Sequence, residues 1–133
     1  MPFSSFDHPE KVISLVVEAL KKNEPIDLSP CTQKRDFIGI KDVCSAYLKM
    51  ADDLKRGGFD IFNVCSGEAM ELSKFLELIA DKIGVSHELL NFGKIPMRDG
   101  EPSLVLGQCH KAFSHLAWQA RSLSQSIKEG ISL

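Results

Sequence analysis

Helix-period stripes alternate along this chain with apolar runs too short to build a broad sheet. Ile13, Val16, Val17 and Leu20 recur at i, i+3, i+4 and i+7, the spacing of one buried helical face. Val43, Tyr47, Met50 and Leu54 form a second stripe over about 42–54, and Leu72, Phe75, Leu76, Ile79 and Ile83 form a third. Strand-like runs lie at 26–28, 37–40, 59–64, 89–95 and 104–106. The run at 59–64 is mostly apolar, as a strand covered on both faces would be. Two short helices are predicted at 111–116 and 123–131. This alternation predicts an α/β protein with a small sheet of three or four short strands and about five helices.

Punctuation supports these boundaries. Asp7 can cap the first helix, with Pro9 in its first turn, and Asn23-Glu24-Pro25 ends it. Asp42 and Ser73 are candidate caps for the second and third helices. Gly57-Gly58 and Gly84 stop those two helices. No internal repeat, low-complexity tract or linker interrupts the pattern, so residues 1–133 read as one domain with a modest core.

A formal net charge of -2 gives no basic excess for a phosphate backbone, so nucleic acid is not an expected partner. No apolar run has membrane-spanning length, and the first residues lack a signal-peptide pattern. Cys31, Cys44, Cys65 and Cys109 form no CxxC pair and read as buried, reduced thiols in a cytoplasmic protein. His110 and His115 miss the i, i+4 spacing of a helical zinc site, so no metal is expected.

Four segments, in order, resemble the extended short-chain dehydrogenase/reductase family, the NAD-dependent epimerases and dehydratases. Pro9-Glu10-Lys11-Val12-Ile13 resembles the PEKLI segment of nucleotide-sugar 4,6-dehydratases. The run from Gln33 through Arg35-Asp36-Phe37-Ile38 to Asp42-Val43 is similar to RDFIYVDDV. Phe62-Asn63-Val64-Cys65-Ser66-Gly67 is similar to FNIGSG. Arg98-Asp99-Gly100-Glu101, Lys111-Ala112 and Leu116-Ala117-Trp118 resemble R-x-G-E, SKA and LGW. Leu28-Ser29-Pro30 and the R-x-G-E form are most similar to nucleotide-sugar 4-reductases and epimerases. The chain departs from the pattern at Gly39, where an aromatic is usual, and at Lys41, where an acid is usual. Glycine is usual at Cys31, Cys65 and Ala117. The resemblance therefore implies turns at Cys31 and Cys65 that glycine would serve better.

The resemblance implies the C-terminal, nucleotide-sugar-binding part of such a fold, without the Rossmann core that binds NAD(P). Family chemistry needs a glycine-rich phosphate turn and a Tyr-x-x-x-Lys pair. The sequence has no GxGxxG, and its only tyrosine, Tyr47, is followed four residues later by Ala51. Tyr47 reads as core. No catalytic, cofactor-binding or metal-binding residue is therefore expected in this chain. It reads as a piece of a longer protein or the product of a truncated gene.

By resemblance, Arg35 and Arg98 contact the diphosphate of a nucleotide sugar, because guanidinium is planar, permanently charged and bidentate. Lys11 and Asn63 match positions near the nucleotide. The competing structural readings pair Arg35 with Asp36 or another local acid, use Asn63 to cap a strand end, and leave Lys11 as a solvated helix residue. Trp118 reads as a packing anchor. The expected function is the substrate-binding portion of an NAD(P)-dependent nucleotide-sugar epimerase, dehydratase or reductase, inactive alone and self-associating. The alternative is a non-catalytic remnant or protein-interaction module.

Overall fold

A computed structural model describes residues 1–4, 7–55, 57 and 59–131. Its strands are short, as the apolar runs predict, and among the described residues they form three small sheets. β1 (Pro2–Phe3) runs parallel to β4 (Ile38–Gly39). β2 (Ile26–Asp27) runs parallel to β6 (Leu90–Asn91). The largest sheet centres on β3 (Lys34–Asp36), with β5 (Ala69–Glu71) antiparallel on one side and β7 (Leu104–Val105) parallel on the other.

Five α-helices accompany them: α1 (Val12–Lys21), α2 (Ile40–Leu54), α3 (Leu72–Ile83), α4 (His110–Leu116) and α5 (Leu123–Gly130). None of the described helices is long and apolar enough to cross a membrane. α1 and α3 pack together through the stripes legible in the sequence. Ile13, Val16 and Leu20 meet a core that includes Phe75, Leu76 and Ile79, all buried. Phe75 stacks on Phe37 with ring centroids 3.9 Å apart and meets Phe3 edge-on at 5.1 Å. Full burial of each such side chain contributes about 1.5–3 kcal/mol before entropy is counted. Gly84 ends α3 in the left-handed region (φ 84°), and its N–H donates to Ala80 O at 2.8 Å.

A second cluster joins Ile38, Ala46, Ala112, Leu116 and Trp118. The Trp118 ring is buried, and its Nε1–H donates to Ser45 Oγ at 2.8 Å. Trp118 is thus the packing anchor its position implies, and its polar atom is satisfied against α2.

Several local expectations are corrected. The buried face of α2 is Asp42 and Ala46, with Val43 and Met50 partly buried. Tyr47 is 66% exposed and Leu54 64% exposed, so neither is core. α2 begins at Ile40 with Gly39 as its cap residue, and Asp42 makes no capping bond. Its carboxylate accepts instead from Arg121 Nε (2.7 Å), Arg121 N (3.3 Å) and Ser126 Oγ (2.7 Å), fastening α2 to α5. α1 starts at Val12, and Asp7 pairs with Lys11 rather than capping it. Glu71, not Ser73, precedes α3.

No strand is assigned among the described residues of 59–64. A strand needs a neighbour to ladder with, and here side chains hold the backbone instead. Ile61 N–H donates to Asp60 Oδ1 at 2.7 Å, while Lys111 Nζ donates to Ile61 O at 3.0 Å and also to the Asp60 carboxylate.

Candidate functional site

The first residues of β3 carry the site outward. Lys34 N–H donates to Ser103 O at 2.8 Å, so the chain entering β7 runs beside the chain entering β3. Leu28 O accepts from Lys94 N (3.0 Å) and Ile95 N (3.2 Å), bringing a second loop alongside. Between these fixed points lies a four-residue turn, Arg98-Asp99-Gly100-Glu101, closed by Glu101 N–H donating to Arg98 O at 3.2 Å. Gly100 has φ 74°, a conformation open to glycine and strained for most other residues. The result is a cleft of about 420 Å³ whose walls include Glu10, Ser29, Gln33, Met97, Arg98 and Glu101. That size suits a small-molecule ligand.

The two arginines expected at a diphosphate occupy this region differently. Arg35 is buried, and Nη1 donates to Lys34 O and Pro102 O, each at 2.8 Å. Its Nη2 donates to the Glu101 carboxylate. Asp36 is not its partner: the Asp36 carboxylate accepts from Ser66 N (2.8 Å), Ser66 Oγ (2.6 Å), Gly67 N (3.0 Å) and Gly107 N (3.2 Å). Arg98 is exposed at the mouth of the cleft, and no ion pair to it occurs among the described residues. One guanidinium therefore holds the turn together, and the other is available.

Lys11 sits at the start of α1, between the lining residues Glu10 and Val12, and pairs with Asp7 at 2.7 Å. Asn63 is placed apart from the cleft walls, where its Nδ2–H donates to Gln108 O at 3.3 Å. The structure thus groups Arg98, Arg35 through Glu101, and the start of α1, and separates Asn63 from them.

One feature was invisible to sequence reasoning. Gln33 is one of the residues lining this cleft, and its Oε1 is a buried acceptor without a donor among the described residues. A buried unsatisfied acceptor costs about 1–3 kcal/mol, so a ligand hydroxyl or amine placed there would relieve it. No spacing rule marks such an atom. It is recognised only when every neighbouring donor is accounted for.

The turns implied by the family's glycines are partly realised. Cys31 (φ 53°) and Ala117 (φ 48°) adopt the left-handed region that glycine favours. Cys65 does not, and the expectation of such a turn there is corrected. Cys44 is exposed, against the expectation of a buried thiol.

Two strand-to-helix junctions, β4–α2 and β5–α3, do not fit a dinucleotide pyrophosphate. At β4–α2, a Cβ on Gly39 would meet Ser126 Cβ at 3.0 Å and Asp42 Oδ2 at 3.1 Å, so an anionic side chain already fills the junction. At β5–α3, Leu72 N–H and Ser73 N–H donate to Gln33 O (3.0 Å) and Cys31 O (2.9 Å). Anions bind helix N-termini through free N–H groups, and these are taken.

Comparison with known proteins agrees with this architecture. The model of the NAD dependent epimerase/dehydratase family matches residues 2–65. The chain is 35% identical to CDP-abequose synthase of Salmonella muenchen over 130 residues, 96% of this chain and 43% of that enzyme. RMD from Pseudomonas aeruginosa, solved with NADPH, superposes with a TM-score of 0.78 at 24% identity. That match covers 98% of this chain and 44% of the other. UDP-glucose 4-epimerase from Thermotoga maritima, solved with UDP-glucose, gives a TM-score of 0.82 at 20% identity, covering 98% of this chain and 42% of that one. The chain therefore spans less than half the length of the relatives it matches. With the ordered motifs, the α/β fold and these matches in agreement, the chain belongs to the NAD dependent epimerase/dehydratase family, and its fold is that of the C-terminal part of an extended short-chain dehydrogenase/reductase.

Proposed function

We propose that this chain is the nucleotide-sugar-binding part of an NAD(P)-dependent epimerase, dehydratase or reductase, and that it does not turn over substrate alone. The observation that carries this reading is the pairing of an uncommitted Arg98 with the unsatisfied Gln33 Oε1 around one cleft. A nucleotide sugar offers complementary groups: a diphosphate for the guanidinium and hydroxyls that can donate to the glutamine oxygen. Relatives are named for acting on CDP-, GDP- and dTDP-linked sugars, which supports the ligand class without choosing among bases. In this reading Arg35 holds the turn that presents Arg98, Lys11 borders the nucleotide, and Asn63, which stands apart from the cleft walls, meets only a nucleotide that extends beyond them. Residues 1–133 act as one domain in the cytoplasm. NAD(P) would be bound by residues outside this chain, because its β4–α2 and β5–α3 junctions are filled and it has neither a GxGxxG turn nor a Tyr-x-x-x-Lys pair. The chain also forms a homo-oligomer through its exposed apolar face.

Calorimetric titration with UDP-, CDP-, GDP- and dTDP-sugars tests the reading. Saturable binding of at least one is expected, with no NAD(P)H consumption by the purified chain in the same mixtures. Failure of all four ligands to bind overturns the proposed site.

A second reading, a protein-interaction module without ligand, is favoured by exposed Phe59, Ile61, Tyr47 and Leu54. Apolar groups in such number commonly mark a contact surface. Binding of a nucleotide sugar would set this reading aside as the sole function.

A further inference from the structure

Cys65 and Cys109 are far apart in sequence, yet the fold brings them face to face. The Asp36 carboxylate gathers both chain segments: its Oδ2 accepts from Gly67 N at 3.0 Å and from Gly107 N at 3.2 Å. Each segment then offers a glycine to the other's cysteine. A Cβ on Gly67 would lie 3.2 Å from Cys109 Sγ, and a Cβ on Gly107 would lie 2.5 Å from both Cβ and Sγ of Cys65. Each cysteine thus lies against the glycine two residues from the other, which makes the two side chains neighbours. A disulfide needs the two cysteine Cβ atoms roughly 3.5–4.5 Å apart, a closure that these adjoining segments would make on oxidation.

We infer that Cys65 and Cys109 form an oxidative modification site, closing to an intramolecular disulfide when the chain meets a peroxide. Cys65 is buried and Cys109 is the more accessible of the two. Burial first, then the neighbouring Cys109 thiol and the Asp36 charge, push the Cys65 thiol up to about 11. Cys65 is therefore protonated near neutral pH and a poor first target, because thiolate is the reactive form. Oxidation begins at Cys109. Its sulfur attacks hydrogen peroxide, the O–O bond breaks, the leaving hydroxide takes up the thiol proton as water, and a sulfenic acid remains. Cys65 then loses its proton and attacks the Cys109 sulfur. The S–S bond forms, the S–O bond breaks, and the departing oxygen leaves as water. In sum, two thiols are oxidised by two electrons and one peroxide is reduced to two waters.

The link would tie the segment carrying Asn63 to the segment carrying Gln108, which already share a hydrogen bond. It does not depend on the nucleotide-sugar reading, since neither cysteine lines that cleft.

Treating the chain with hydrogen peroxide, blocking free thiols and digesting with trypsin without reductant tests the site. A linked pair of peptides 57–74 and 99–111 is expected. Intact mass should fall by two hydrogens, and the apparent melting temperature should rise by ~5 °C or more, reversed by dithiothreitol. The link should persist in Cys44→Ser and vanish in Cys109→Ser, which changes an accessible residue and leaves the buried Cys65 in place. Cys109 carried to sulfinic or sulfonic acid without the link, or a link from Cys109 to Cys44, overturns the inference. So does a chain that peroxide leaves unlinked.

Discussion

Glu101 engages Arg35 and leaves Arg98 uncommitted, so two chemically equal guanidinium groups carry opposite expectations for their removal. Arg35→Ala would strand the Glu101 carboxylate and withdraw the donor from Lys34 O and Pro102 O. Losing one partner of a largely buried ion pair destabilises by roughly 2–3 kcal/mol once partial solvent access to Glu101 is allowed for. Arg98→Ala touches an exposed side chain and should hold stability within about 0.5 kcal/mol. Its effect belongs to binding, where loss of a charge-assisted contact should weaken a nucleotide sugar by about 1.5–3 kcal/mol. Thermal melts and calorimetric titration of both variants separate these outcomes. An Arg35→Ala protein that melts like the parent chain would contradict the role assigned to Glu101. Ala117 poses the reverse case, a residue whose backbone suits glycine better. Its φ of 48° ends α4 in the left-handed region, which costs a Cβ-bearing residue about 1–2 kcal/mol. Ala117→Gly should therefore move the urea midpoint upward, a net gain near 1 kcal/mol after the extra unfolded-state entropy of glycine is subtracted. Cys31 shares the strain, but its buried thiol contributes packing that glycine would forfeit.

Between elements, the decisive contact is α2 to α5 through Asp42. Burial pushes the Asp42 carboxyl up, but hydrogen bonds from Arg121 and Ser126, with the Arg121 charge, outweigh it and hold the group below its ordinary 3.8. A carboxyl depressed in the folded state stabilises fully above its unfolded value and loses that contribution as pH falls through the folded one. Stability from this contact should be flat from neutrality to about pH 4 and decline below 3.8. Asp42→Asn, followed by chemical denaturation against pH, should remove part of that acid-side decline and cost about 2–4 kcal/mol near neutrality. An unchanged acid limb would mean other carboxyls dominate. The same aspartate explains why α2 was only half legible in sequence. Helical spacing found α1 and α3 because their buried stripes are wholly apolar. In α2 the apolar spacing instead runs through the exposed Tyr47 and Leu54, since a buried aspartate and a small alanine give little hydrophobic signal. Residues 59–64 have strand composition, but laddering depends on a distant partner that composition cannot supply. The ordered motifs located Arg35 and Arg98. They could not show that Glu101 claims one of them, or that Gln33 Oε1 lacks a donor, because both facts arise from long-range packing.

At the scale of the whole molecule, the face formed by α2 and the 59–62 segment lacks a cover. Phe59 is 88% exposed and Ile61 69%, and Tyr47, Leu48 and Leu54 lie open on α2. Together with Met50, Phe62 and His115, several of these residues bound a cleft of about 380 Å³. Contiguous apolar surface of this kind is unfavourable in water, at about 25 cal/mol for each Å² left exposed, and generally marks a contact. The matched relatives are more than twice as long as the shared region, so residues outside it are available to cover such a face in them. For the isolated chain, the cover proposed is a second copy of itself. A two-fold pairing lets the same patch serve both partners, and it is the commonest closed arrangement for identical chains. The backbone at 59–64 joins no ladder among its described residues, and beyond the Ile61 groups held by Asp60 and Lys111 it offers N–H and C=O groups that a second copy can pair. Sedimentation equilibrium at micromolar concentration should therefore give a mass above that of the single chain. Phe59→Asp, which puts a charge on a wall of this cleft without touching either buried cluster, should return the mass to that of a monomer while thermal unfolding stays cooperative. A parent chain that sediments as a monomer across the micromolar range would show that this face tolerates water, and the self-association assigned to it would be wrong.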